Sequence, residues 1–408
     1  MLKKLFNTEL GKGAVVLFIT MNIFNFLNFL FHFAMARTLG PSDYGVLAVL
    51  MSIIYVYSVP TEAIQTIISR YTSKFNLARE YGKMKFLLFR TLKKGVGFSL
   101  AIFAISILAS FPISIFLKIN FWLILLTNLF VFYAITGPII KGVIQGRKQF
   151  GLLGINLIME SAIRLALAIF LVALGFGVFG AMIGVLIGVA MSLIISLYFS
   201  RDIIQVKEEP TYIGGMRSES ISYFLTMFVI FSMFSIDIIL AKRFFLPDVA
   251  GKYAVLSMLG KMIFLGTVAI SKAMFPLASE KHDGKEDSSG LLVKSLLMTF
   301  GLCAVAIIAY ALIPKLIIRI LYGSAYLEIF PLLIYSGIAF SFLALSNLIL
   351  VYALSTRRLR NPAYLFVFLI LEILLLFFFS ETMREYVLAF MVSNIVMFIG
   401  SIFFLRKQ

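Results

Sequence analysis

Charged residues are scarce in this sequence, and so are cysteine and histidine. Charged side chains make up 13% of the 408 residues and hydrophobic ones 61%, whereas about 25% of a soluble domain is charged. This deficit excludes an ordinary soluble domain and indicates that lipid surrounds most of the chain. The single cysteine, Cys303, excludes an intramolecular disulfide and a cysteine-based zinc site.

The sequence also lacks the motifs of ATP-driven pumps and of most membrane enzymes. No Gly-x-x-x-x-Gly-Lys-[Ser/Thr] loop occurs, because Met262 follows the lysine of the nearest fragment, and this disfavours an ATPase. The longest predicted outer connection, residues 314–328, has no histidine, which disfavours an extramembrane active site, although one within the membrane stays open. We expect no enzyme activity, catalytic residue, metal ligand or cofactor, so an ion gradient, the membrane potential or the substrate gradient would supply the energy.

Long apolar runs dominate what is present. Because an unpaired backbone group is costly in hydrocarbon, such runs cross a membrane as helices, at about twenty residues each. The sequence predicts an all-α integral membrane protein with about twelve transmembrane helices in two six-helix lobes. We place the spans at residues 14–36, 44–66, 95–117, 121–140, 151–174, 178–199, 220–241, 250–271, 291–313, 329–353, 363–379 and 386–405.

The distribution of lysine and arginine predicts the orientation, because short loops rich in these residues stay in the cytoplasm. The connections on one side carry 26 of the 36 basic residues, and those on the other side carry 8. We therefore expect cytoplasmic N and C termini in a multi-pass protein of the cell (cytoplasmic or inner) membrane. The net charge of +17 does not indicate a nucleic-acid partner, since the basic residues are dispersed among the connections.

The two halves of the chain contain a repeat with a spacing of 205 to 206 residues. The second half starts after six spans, on the same side of the membrane, so an axis along the membrane normal relates the two lobes. We predict an N-terminal lobe of residues 1–205 and a C-terminal lobe of residues 206–408. The matched pairs include Ala36 with Ala241, Asp43 with Asp248, Gly45 with Gly251, and Ala48 with Ala254.

Four short segments in this duplicated frame carry a family resemblance. They are Ala-Arg-Thr-Leu-Gly-Pro-Ser-Asp-Tyr-Gly at 36–45, Ile-Gln-Gly-Arg-Lys-Gln-Phe at 144–150, Ile-Asp-Ile-Ile-Leu-Ala at 236–241 and Val-Ala-Gly-Lys-Tyr at 249–253. With their order and spacing, the chain resembles the polysaccharide flippases of the multidrug/oligosaccharidyl-lipid/polysaccharide exporter superfamily. The resemblance covers essentially the whole chain.

This resemblance implies a flippase that moves a lipid-linked (polyprenyl-diphosphate) oligosaccharide from the inner to the outer leaflet for cell-surface polysaccharide synthesis. Two lobes would give alternating access around a central cationic cavity. The expected partners are the lipid-linked oligosaccharide, the lipid bilayer and polysaccharide-assembly proteins, and a monomer is expected. A cation-coupled multidrug exporter of the same superfamily is the alternative, and a membrane glycan polymerase or ligase ranks third.

Ionisable residues inside spans are costly, about 2.5–3.5 kcal/mol each on insertion scales, so each is a candidate functional residue. Lys261 has no carboxylate three or four residues away, so its partner comes from another helix, with Asp237 as the candidate, or from an anionic ligand. Lys261, Arg37 and Arg164 are the predicted cations of a substrate-binding site.

A polar stripe runs along the first span. Asn22, Asn25, Asn28 and His32 follow one another at spacings of three, three and four residues, which places them on one helix face. Of these, Asn25, Asn28 and His32 are predicted to hydrogen-bond sugar hydroxyls. The competing interpretation is hydrogen bonding between helices.

Carboxylates inside the spans are the candidates for coupling or gating. Glu62 follows Pro60, which is expected to kink the second span, and Glu160 lies four residues before Arg164, at ion-pair spacing on a helix. Asp237 and Glu372 complete the predicted coupling set. Burial of a neutral carboxyl, or a structural ion pair, competes with a transport role for these residues.

Overall fold

The regular structure of this protein is helical. The computed structural model describes residues 9–211, 217–284, 286–359 and 361–405, and no strand occurs within them. The cause lies in the sequence, because a helix satisfies the backbone N–H and C=O groups of an apolar segment internally. The predicted all-α membrane fold is therefore confirmed.

The helices follow the apolar runs. The first half contains α1 (Glu9–Tyr57), α2 (Val59–Leu77), α3 (Tyr81–Leu117), α4 (Phe121–Asn128), α5 (Phe130–Gly146), α6 (Phe150–Leu171), α7 (Gly177–Phe199) and α8 (Arg201–Gln205). The second half contains α9 (Arg217–Phe244), α10 (Pro247–Asp283), α11 (Ser289–Leu312), α12 (Pro314–Leu321), α13 (Leu333–Ser355), α14 (Phe366–Phe378) and α15 (Met383–Phe403). A π-helical segment lies at Val172–Phe176, and 3-10 segments lie at Ser324–Leu332 and Pro362–Leu365.

Nine segments of the described chain are long and apolar enough to cross a membrane. Two of them, Ile19–Leu77 and Phe150–Phe199, each contain two of the predicted spans, and the shorter apolar segment Pro362–Phe378 corresponds to the eleventh. All twelve predicted spans therefore have a helical counterpart. The helices extend past the predicted ends, and α2 and α3 together cover most of residues 67–94, which connect the second and third predicted spans.

Two compact units make up the described chain. The first contains the described residues of Met1–Leu39 and Tyr57–Met216, and the second those of Gly40–Val56 and Arg217–Gln408. In the first unit, α6 packs along α7 and α2 along α5; in the second, α13 packs against α10, α11 and α15. The predicted lobe boundary between residues 205 and 206 stays a prediction.

A glycine and a proline interrupt α1 between the first and second predicted spans. Gly40 has φ 74° and ψ 175°, a conformation that residues with a side chain rarely adopt. Pro41 follows and has no N–H to donate. The Leu-Gly-Pro turn of the repeat motif thus separates the two spans that run together as α1.

Two glycines matched by the repeat lie against each other within the second unit. A Cβ added to Gly45 would stand 3.0 Å from the Cα of Gly251, and a Cβ added to Gly251 would overlap the carbonyl group of Pro41. Backbone therefore meets backbone at this contact, and a side chain at position 251 would force the chain apart.

Candidate functional site

The polar stripe of α1 passes from an exposed surface into the interior of the first unit. Asn22 and Asn25 are exposed, Asn28 is half-buried and His32 is buried. The Oδ1 atom of Asn28 is buried and has no hydrogen-bond partner among the described residues. His32 packs edge-on against Phe31, with ring centroids 5.4 Å apart.

The other two predicted residues near these spans lie at exposed positions. Arg37 is exposed close to the break in α1. Glu62 is exposed in the first turn of α2, which begins at Val59. Pro60 therefore stands in the first turn of a helix, where its missing N–H costs nothing. The break at Ser58, between α1 and α2, lies within the second predicted span, in agreement with the predicted kink.

A buried ion pair joins α5 and α6. The Nζ atom of Lys141 lies 2.7 Å from Oε2 of Glu160, and the Tyr133 hydroxyl donates to the same oxygen at 2.6 Å. Lys141 also donates to the Tyr133 hydroxyl oxygen at 2.6 Å. Glu160 thus forms its ion pair with Lys141, which corrects the predicted pair with Arg164, and Lys141 is buried in α5, not in a cytoplasmic loop.

Arg164 lies one turn further along α6. Its side chain is 9% exposed, and its guanidinium carbon lies 5.2 Å from the centroid of the Phe31 ring on α1, within the range of a cation–π contact. The buried ionisable side chains described in the first unit are His32, Lys141, Glu160 and Arg164. Lys141 and Glu160 neutralise each other, and Arg164 is a further buried cation in this set.

A second buried ion pair joins α9 and α10. The Nζ atom of Lys261 lies 3.3 Å from Oδ1 of Asp237, and both side chains are 0% exposed. The other carboxylate oxygen of Asp237 accepts hydrogen bonds from Ser257 and from Tyr253, the latter at 3.2 Å. Asp237, the candidate partner of Lys261, thus forms an ion pair with it across the two helices. The role of Lys261 in binding substrate stays a prediction.

Lys261 is also enclosed by aromatic rings. Its Nζ atom lies 4.9 Å from the centroid of Phe234 and 5.9 Å from that of Phe340. The faces of such rings attract cations. Together with Asp237, these rings replace the water that an exposed ammonium group would bind.

Glu372 adds a second carboxyl group to this cluster. It is fully buried on α14, and Oε2 accepts a hydrogen bond from Ser393 on α15 at 3.2 Å. Its Oε1 atom has no hydrogen-bond partner among the described residues, and Glu372 lies close enough to interact electrostatically with Asp237 and Lys261. The structure therefore brings three predicted site residues together in the second unit.

Several members of these clusters are missing from the set predicted from the sequence. Ser257 lies four residues before Lys261, on the same face of α10, so helical spacing gives a usable signal. The repeat gives another, since the offset that aligns Ala36 with Ala241 also aligns His32 with Asp237. Tyr386 is also missing, and its hydroxyl donates to the carbonyl oxygen of Asp237 at 2.7 Å. The other missing members are Tyr133, Lys141, Tyr253 and Ser393.

The clusters are not arranged as a metal site. Among the described residues, no group of three or more His, Cys, Asp or Glu side chains is placed to hold a metal ion. Each lysine instead supplies the cation that its neighbouring carboxylate requires in apolar surroundings.

Apolar helices in two units, with ion pairs buried between spans, are the features of a multi-pass membrane transporter. The chain belongs to the polysaccharide biosynthesis protein family, whose sequence profile matches residues 34–331. This confirms the predicted relationship with the polysaccharide branch of the exporter superfamily. A comparison with curated proteins gave no significant sequence match.

Solved structures of that superfamily share this fold. An inward-facing multidrug resistance MATE family transporter of the MOP superfamily superposes with a TM-score of 0.71 at 12% identity, over 96% of each chain. An outward-facing one gives 0.65 at 14% identity, over 98% of this chain and 96% of the other. A third similar structure is a MOP superfamily transporter from Pyrococcus furiosus, with a TM-score of 0.64 at 15% identity over 96% of this chain and 94% of the other. That transporter is described as having a binding pocket of reversed polarity, which suggests a different function.

Proposed function

We propose that this protein is a flippase that moves a lipid-linked, polyprenyl-diphosphate oligosaccharide from the inner to the outer leaflet of the cell membrane. Its family and its transporter fold support a role in exporting a precursor of surface polysaccharide. Polysaccharide-assembly proteins would use the lipid-linked oligosaccharide after it reaches the outer leaflet.

The observation that carries the proposal is a buried arginine, Arg164, on α6, whose guanidinium group lies against the Phe31 ring of α1. The other buried cation of this unit, Lys141, is paired with Glu160 at 2.7 Å. Of the two cations, the guanidinium group of Arg164 is the better ligand for phosphate oxygens, because it presents a planar fork of N–H donors. A diphosphate is the kind of anion that such a guanidinium group binds.

The other predicted residues take supporting roles in this proposal. Arg37 provides a second, exposed cation at the end of the stripe, and the amides of Asn25 and Asn28 and the imidazole of His32 are groups that hydrogen-bond sugar hydroxyls. Lys261 would meet the substrate only in a state where its pair with Asp237 has opened. Glu62, Asp237, Glu160 and Glu372 remain the candidates for coupling or gating.

The competing function is export of amphipathic cationic drugs, because multidrug resistance transporters share this fold. The Pyrococcus furiosus transporter, with its reversed pocket polarity, links the polarity of a pocket to function within this one fold. The sign of the charge that the substrate meets is therefore the property to test. The guanidinium group of Arg164 would disfavour a cationic drug, whereas it would favour a diphosphate.

The test uses purified protein in liposomes that carry a fluorescent polyprenyl-diphosphate oligosaccharide, with outer-leaflet sugar scored by an impermeant glycosidase. We expect Arg164→Gln to lower the flipping rate at least about tenfold, which corresponds to roughly 1.4 kcal/mol, and Arg164→Lys to keep part of it. Arg384→Gln removes an exposed arginine and serves as the matched control. Elution volume and unfolding temperature verify that each variant is folded.

Two outcomes would reject the proposal. In one, well-folded Arg164→Gln flips the lipid at the wild-type rate, so the buried positive charge has no role. In the other, no lipid-linked sugar moves, while a cationic dye is extruded under an ion gradient; the drug exporter then takes the place of the flippase.

A further inference from the structure

A groove lies between α14 and α15 in the second unit, at the end where α14 begins and α15 ends. Its volume is about 410 Å³, and it is open along one side. A Cβ added to Gly400 would overlap the ring of Phe368, so this ring packs directly on the backbone of α15. The groove is lined by Val367, Phe368, Val396, Ile399, Gly400 and Phe403, among other apolar residues.

Hydrocarbon is the material that suits this groove. Val367, Ile399 and Phe403 are exposed, at 62%, 52% and 58%, and they belong to helices that cross the membrane. Water would gain no hydrogen bonds from such a lining, whereas each buried CH₂ group of a lipid chain gains about 0.8 kcal/mol. The acyl chain of a lipid is therefore the occupant that the lining favours.

A cation stands at the end of the groove. The Nη1 atom of Arg358 donates to the carbonyl oxygen of Leu405 at 2.8 Å, next to the lining residue Phe404. The guanidinium carbon lies 5.5 Å from the ring centroid of Tyr352. The remaining guanidinium nitrogens have no protein partner among the described residues, so they are available to an anion.

The two stretches of sequence that flank and form this groove are basic. Residues 355–371 and 386–408 contain no Asp or Glu. The only charged side chains of these two stretches are therefore cationic. Their basic residues are Arg357, Arg358, Arg360, Arg406 and Lys407.

We propose that this groove binds one anionic phospholipid, with an acyl chain along α14 and α15 and its phosphate at Arg358. Basic pockets beside transmembrane helices recognise anionic headgroups, and Tyr364, in the lining, has the amphipathic ring typical of the membrane interface. The site does not depend on which substrate the protein carries.

Native mass spectrometry of the purified full-length protein tests this site. Phosphatidylglycerol and phosphatidylcholine with identical acyl chains are added at equal concentration, and we expect wild-type protein to retain one phosphatidylglycerol with at least about a fivefold preference. Arg358→Gln should remove the preference. Val367→Trp should fill the groove and reduce retention of both lipids, whereas Val293→Trp, at a valine of similar exposure on α11, should change neither.

Three results would overturn the proposal. Equal retention of the two lipids by wild-type protein would show only nonspecific surface lipid. Retention unchanged by both Arg358→Gln and Val367→Trp would place the lipid elsewhere. Displacement of phosphatidylglycerol by an equimolar amount of polyprenyl phosphate would assign the groove to a polyprenyl chain. Because Val367 is exposed, Val367→Trp keeps the test decisive if Arg358→Gln fails to fold.

Discussion

Two of the buried lysines each meet a carboxylate from the preceding or following helix. Lys141 pairs with Glu160, and Lys261 pairs with Asp237. An isolated charge would be too costly at these positions, whereas a pair supported by hydroxyl donors is tolerated. These pairs connect neighbouring helices within a unit, so they act on stability as well as on any transport step.

The second of these pairs yields a stability prediction. We expect Lys261→Met to lower the unfolding temperature in detergent, because it leaves the Asp237 carboxylate buried without its cation, a change that costs about 3–5 kcal/mol. Lys261→Met combined with Asp237→Asn should recover most of the loss, since the amide oxygen still accepts from Ser257 and Tyr253. Lys281→Met, near the exposed end of the same helix, is the control. A double variant as unstable as Lys261→Met would contradict this account.

Sequence spacing identifies individual residues better than partners. The isolated charge of Lys261 and the carboxyl group of Glu372 stand out in apolar runs, so the sequence predicts both as site residues. The sequence does not predict Lys141 as the partner of Glu160. The fourth span is predicted to end at residue 140, which leaves Lys141 outside it, whereas helix α5 continues to Gly146. The sequence does name Asp237 as a candidate partner of Lys261, which the structure bears out. It does not single this pair out from a ligand, because pairing across helices depends on rotation and depth.

At the level of helices, apolar runs predict every span, whereas they place the helix ends poorly. The spans are dictated by the length of hydrocarbon that they must cross, but α3 and α10, at 37 residues each, are longer than a crossing requires. The break at Gly40 is visible in the sequence as Gly-Pro. The close contact between Gly45 and Gly251 is not visible, although the repeat matches these residues with each other.

This contact gives a prediction about α10. We expect Gly251→Ala to lower the unfolding temperature, since its Cβ would overlap the Pro41 carbonyl and overpacking costs about 1–3 kcal/mol. Gly266→Ala on the same helix has no atom within 4 Å of its added Cβ, so it should be neutral or slightly stabilising through its higher helix propensity. Equal unfolding temperatures for the two variants would show that the backbone at Gly251 gives way freely.

For the molecule as a whole, the predicted orientation in the membrane rests on the basic residues of the connections. Two short turns are suited to test it, because the turn between α2 and α3 contains the exposed Ala78 and the turn between α14 and α15 contains the exposed Glu381. The third to the eleventh predicted spans lie between these turns. Their number is odd, so we expect the two turns on opposite sides of the membrane.

Cysteine labelling in intact cells measures that topology directly. The one native cysteine, Cys303, is buried and is first replaced by alanine. A membrane-impermeant maleimide should label Glu381→Cys in intact cells, because that turn is expected outside, and should label Ala78→Cys only after the membrane is permeabilised. The reverse pattern would place the basic connections outside and contradict the positive-inside argument. Labelling of both in intact cells would mean that an even number of spans separates the two turns, and the count of twelve would then be wrong.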